Sequence, residues 1–138
     1  MLQSRNEVRQ VYLTVWQKMQ QRSLLEPMEA LIAEVIELHP EYHALLENEI
    51  DIKQQEFTPD QGQTNPFLHM GMHIALREQA GVDRPVGIQG LYRKLVSSKG
   101  QHDAEHVMME CLGESLWNAQ RNHQAPDEAA YLDCLKKL

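Results

Sequence analysis

Basic residues are in short supply in this chain. It holds 13 Lys and Arg against 20 Asp and Glu, a formal net charge of -7 over 138 residues. Nonspecific binding to nucleic acid or to an anionic membrane surface needs a basic face, so neither partner is expected. Long apolar runs are missing as well. None approaches the ~20 residues that span a bilayer. The opening stretch MLQSRNEVRQVYL lacks the apolar core of a secretory signal, so a cytoplasmic location is expected. Glycine and proline are few, at 7 and 6, and 42% of residues are apolar, which excludes a disordered or fibrous chain. Only two cysteines occur, Cys111 and Cys134, with no C-x-x-C spacing. The default reading is two buried or half-buried thiols in a reducing compartment, with a disulfide between them the weaker reading. There is no phosphate-cradling glycine loop, no G-x-S-x-G elbow and no H-E-x-x-H.

Histidine, in contrast, is patterned. His39 and His43, His69 and His73, and His102 and His106 each form H-x-x-x-H. Residues four apart on an α-helix lie on one face, one turn above the other, so each pair can aim two imidazoles the same way. Seven histidines scattered at random over 138 positions give about a third of one such pair, and three pairs is roughly a one-in-200 event.

The rest of the chain reads as helices that could present these pairs. Residues 4–22 carry the stripe Val8, Val11, Tyr12, Val15, Trp16 and Met19, with Ser4 and Glu7 as a capping box. Residues 26–38 repeat it with Met28, Leu31, Ile32, Val35 and Ile36, and Pro27 suits the first turn. Pro40 disfavours a straight helix, so a kink or fresh start is expected there, with a short helix to about Ile50. His39 then sits at a helix boundary. A polar loop is expected over about 51–64, followed by Asn65-Pro66 as cap and first helical residue. Residues 66–80 are apolar around most of the helix, which predicts deep burial. Gly71 in their midst suggests close approach of another backbone, and Gly81 is the expected C-cap. Further helices are predicted over 84–99, capped by Asp83, over 101–122, with Asp103 and Glu105 in the first turn where they suit the helix dipole, and over 127–137. The expected fold is all-α: one domain, residues 1–138, as a single helical bundle of five to seven helices.

The chemistry follows from the ligand types. Glu110 stands one turn beyond His106, and Glu47 one turn beyond His43. Imidazole with carboxylate suits iron, zinc or manganese, and bundles build such sites from facing helices. The candidate ligands are His39, His43, His69, His73, His102, His106 and Glu110. Six histidines with carboxylates exceed the needs of one ion, which favours a dinuclear site. Arg77, in the slot after His73, is expected to pair with Glu110 or Glu47 behind the ligands. His123 lies in a polar turn and reads as a surface residue. The rival reading is a non-catalytic structural or interaction module whose histidines are core groups or pH sensors. A metal-dependent hydrolase is a third. The sequence leaves open the metal, any reaction, any protein partner and homo-oligomer formation.

Several stretches carry a family resemblance: LHPEYHALLEN at 38–48, NPFLHMGMHIALREQ at 65–79, DRPVGI at 83–88, HDAEHVMMECLGESLWNAQRN at 102–122 and PDEAAYL at 126–132. Together they resemble a bacterial family catalogued only as a domain of unknown function, number 1841, over nearly the whole chain. The resemblance implies a small single-domain bacterial protein without an assigned activity. A looser likeness is to hemerythrin-like bundles, which hold two irons with histidines and carboxylates; this chain lacks their full ligand order, and the likeness is an analogy of fold.

Overall fold

Pro40 divides the first half of the chain as its chemistry requires. In the computed structural model, which describes residues 5–48 and 65–138, α2 (Pro27–Glu37) stops short of it. His39 then takes a non-helical backbone (φ -126°, ψ 64°) and caps a single 3-10 turn, Pro40–Tyr42. The short α3 (His43–Glu47) follows. Before them runs α1 (Arg5–Gln21), and after them α4 (Pro66–Val82), α5 (Ile88–Lys99), α6 (Gln101–Arg121) and α7 (Glu128–Lys136). The fold is all-α, with seven helices and no strand among the described residues. None of these helices is long and apolar enough to cross a membrane.

The chain forms two compact units, Met1–Gly71 and Met72–Leu138, and the division falls inside α4. In the first unit, α1 packs on α2 and α3. Its buried apolar residues include Tyr12, Leu13, Val15, Trp16, Ile32, Val35, Ile36, Leu46 and Phe67. Val11, expected on this stripe, is exposed, and Leu13 is buried in its stead. Tyr12 meets the edge of Phe67 at 5.3 Å between centroids, and the guanidinium of Arg9 lies over the same ring at 4.9 Å. Lys18 on α1 bonds Glu29 on α2 at 2.7 Å. Glu29 also caps α2 by accepting from the Glu26 backbone N–H, beside the expected Pro27.

In the second unit α6 packs on α5 and α7. Leu76, Ile88, Leu95, Ala104, Met108, Leu112, Tyr131 and Leu135 form its core. The first turn of α4 is capped as expected: Asn65 Oδ1 accepts from Phe67 N–H at 2.9 Å and from Leu68 N–H at 3.3 Å. Its end differs from expectation. The helix runs through Gly81 to Val82, and Asp83 takes the left-handed conformation (φ 53°) that a C-terminal glycine usually supplies. Helix α5 starts at Ile88 and not at 84. A turn through Pro85 and Gly87 (φ 105°) precedes it, and Asp83 Oδ1 spans the turn by accepting from Gly87 N–H and Gln89 N–H. Asp127 caps α7 by accepting from Ala130 N–H.

Two expectations are corrected here. Cys111 on α6 and Cys134 on α7 are a disulfide, with Cα atoms 5.8 Å apart, and not two thiols. The short connection after Arg121 returns α7 onto α6, so residues 23 apart in sequence become neighbours. At Gly71 no backbone among the described residues approaches closely: of these, a Cβ there would meet only the Tyr12 hydroxyl, at 3.9 Å. The expected polar loop, and Ser4, lie outside the described residues.

Candidate functional site

Helix α4 carries His69 and His73 one turn apart. It is apolar around much of its circumference, and Phe67, Met70, Ile74, Leu76 and Ala80 are all buried. A polar ring on such a helix needs a partner, because a buried polar group without one costs on the order of 1–3 kcal/mol.

In the first unit, His69 meets His39 edge-on, with centroids 5.0 Å apart and planes at 83°. His39 is buried, and its Nδ1–H donates to the Val35 carbonyl at 2.8 Å. That bond makes Nδ1 the protonated nitrogen and puts the ring's lone pair on Nε2. Tyr42 stacks on the other side, 5.4 Å away and 8° from parallel. The break at Pro40 gives His43 different surroundings. Its Nε2–H donates to the Ile36 carbonyl at 2.9 Å, and its ring lies against Trp16 at 4.8 Å. His39 and His43 are thus spaced by four in sequence, but the 3-10 turn between them removes the shared helical face.

The second unit gathers three rings. His73 stacks on His102 at 5.1 Å and meets His106 at 5.0 Å, while His102 and His106 lie 4.1 Å apart. The predicted i, i+4 geometry therefore holds for α6, where the helix is unbroken. Burial is graded across the three: His73 is fully buried, His102 half-buried and His106 exposed.

Behind His73 stands a carboxylate. Glu105 is not the solvent-facing acid expected in a first turn but is fully buried. Its Oε1 accepts from His73 Nδ1–H at 2.7 Å, and its Oε2 accepts from Arg77 Nε–H at 2.9 Å and from the Tyr92 hydroxyl at 2.5 Å. Tyr92 in turn accepts from Gln101 Nε2 at 3.1 Å. Burial pushes the Glu105 pKa upward, but the bonds from His73, Tyr92 and Arg77 outweigh it and hold the carboxyl below its ordinary range. Burial, helped by the bond to Glu105, raises Tyr92 to about 12. A carboxylate, a neutral phenol and a guanidinium are thus fixed around one imidazole. The expected partners of Arg77, Glu110 and Glu47, are both exposed, and Arg77 pairs with Glu105. A sequence signal for Glu105 exists: it lies three and seven residues before Met108 and Leu112, on the apolar stripe of α6. His123 is exposed, as expected.

The arrangement can do one thing well. An imidazole whose Nδ1–H is held by a carboxylate presents its Nε2 as a fixed, basic ligand, the usual support of a metal-binding histidine. The family whose description is "Domain of unknown function (DUF1841)" matches residues 4–137, and the chain belongs to that family. No curated protein and no solved structure matches the chain.

Proposed function

We propose that this member of the DUF1841 family is a metal-binding protein that holds a transition-metal ion through its paired histidines. One observation carries the reading: the buried His73–Glu105 bond, with the rings of His102 and His106 packed around His73. The proposed ligands are His73, His102 and His106 of the second unit, with Glu105 orienting His73 from behind. In the first unit, His39 and His69 make a separate pair of rings, with His39 oriented by the Val35 carbonyl. Glu105 is already occupied by three donors, and a single ion is the simpler reading of the rings gathered around His73. Three imidazole nitrogens with one open position suit a single tetrahedral ion such as zinc, and iron or manganese would complete its shell with water.

Metal analysis of protein purified without a histidine tag tests this. About one ion per chain after reconstitution is expected, and under about 0.3 would overturn the reading. His73→Ala with His106→Ala should abolish binding, and His123→Ala should leave it intact. The metal should raise the melting temperature, and a chelator should lower it.

The same hydrogen bonds favour a second reading, in which His39 and His73 are core residues satisfied by Val35 and Glu105 and the chain is a structural or interaction module. That reading expects no response of the melting temperature to metal or chelator.

A further inference from the structure

The Cys111–Cys134 disulfide is not enclosed by the core. It forms one wall of a pocket of about 400 Å³ between α6 and α7 in the second unit. The face of α6 that runs on from Cys111 is small and polar, through Ser115 and Asn118 to Asn122, and this leaves the space. Glu114 and Asp127 add two carboxylates to the lining, and no basic side chain is among the lining residues. The two residues differ in exposure: Cys111 is 2% exposed, whereas Cys134 is half-buried.

We infer that this pocket is a thiol–disulfide exchange site, taking a small thiol that carries an ammonium group and reacting through Cys134. The volume lies within the range of small-molecule sites. The amides of Asn118 and Asn122 offer hydrogen bonds, and the carboxylates favour a cation over an anion. In the reaction the incoming thiolate attacks Sγ of Cys134. The Cys111–Cys134 bond breaks, a mixed disulfide forms on Cys134, and Cys111 leaves as a thiolate that takes a proton from water. A second thiolate attacks the small-molecule sulfur of the mixed disulfide; the bond to Cys134 breaks, the oxidised small disulfide departs, and Cys134 leaves as a thiolate that takes a proton from water. The protein gains two electrons and two protons, and the two thiols supply them. Attack at Cys134 follows from exposure, since Cys111 is almost fully buried and Cys134 is not. The inference draws on no part of the metal reading.

The test treats the oxidised protein under native conditions with cysteamine, a cationic aminothiol, and with 3-mercaptopropionate, an anionic thiol. Rates are normalised to thiolate concentration, and the adduct is mapped by mass spectrometry after acid quench and alkylation. The adduct is expected on Cys134, with cysteamine faster by about fivefold, the effect of a nearby charge at the protein surface. Glu114→Gln, at an exposed position, should narrow that gap. Glu78→Gln, outside the pocket lining, should not, which controls for net charge. An adduct on Cys111, equal normalised rates, a gap indifferent to Glu114→Gln, or opening only in denaturant would each overturn the proposal. So would free thiols at both cysteines in aerobically purified protein.

Discussion

The Nδ1–H of His73 points at Oε1 of Glu105, 2.7 Å away, with both side chains fully buried. Because Arg77 and Tyr92 meet the same carboxylate, this pair is the centre of the polar network in the second unit. Glu105→Gln keeps the shape and removes the charge, leaving the Arg77 guanidinium, itself largely buried, without its counter-ion. Loss of one partner of a buried pair costs about 3–5 kcal/mol, and urea unfolding is expected to show a fall of that size. Metal affinity, measured by competition with a chromophoric chelator, should drop about 10–100-fold, as it does when the support behind a ligand is removed. Unchanged affinity in a folded Glu105→Gln protein would remove His73 from the ligand set.

His43 separates the ligand reading from simple histidine content. Its ring belongs to Trp16 and the Ile36 carbonyl. His43→Ala is expected to cost stability through lost packing while leaving metal stoichiometry unchanged, as read by metal analysis of the purified variant.

Reduction of the disulfide should be felt by the whole second unit. Closing a loop of this length restrains the unfolded chain by about 3 kcal/mol in the chain-entropy picture. Urea unfolding with and without a reductant, or of Cys111→Ser with Cys134→Ser, should show a loss on that order. No change would mean that α7 docks without its tether.

Alkaline pH should unfold the protein through its tyrosines. Burial raises Tyr12 and Tyr92 to about 12, and raises Tyr131 further. In the unfolded chain these phenols ionise near the ordinary value of 10.0. A raised folded-state pKa gives stability that is fully present below pH 10 and is lost as pH climbs from 10 toward about 12. Melting temperatures should be flat in this respect up to pH 9 and fall above 10, and phenolate absorbance should appear together with unfolding.

Gly71 is open to improvement. Among the described residues, a Cβ there meets only the Tyr12 hydroxyl at an ordinary contact distance, and the position is inside α4. Gly71→Ala is expected to stabilise by up to about 1 kcal/mol, as a helical glycine gives way to alanine. Destabilisation in a thermal melt would show that the glycine serves a tighter approach.

Where the chain alone was informative, local chemistry governed. The break at Pro40, the Asn65 cap and the unbroken 101–122 helix are set by proline's missing donor, a side-chain acceptor and an apolar repeat, and each stands where expected. The errors lie where distant residues decide. Glu105 looks like a solvated first-turn acid until His73, Arg77 and Tyr92 are folded around it. Cys111 and Cys134 look like separate thiols until α7 turns back onto α6. Gly81 carries an ordinary stop signal that the chain overruns by one residue, because Asp83 can adopt the left-handed turn itself. In the His39–His43 pair the spacing was right and the shared face was not, since a 3-10 turn rotates residues differently from an α-helix.

The graded burial of His73, His102 and His106 gives the second unit a direction. His106 stands at the doorstep and His73 lies innermost, its far side locked to Glu105. On the proposed metal reading, the outermost ring would govern traffic and the innermost one how firmly an ion is kept.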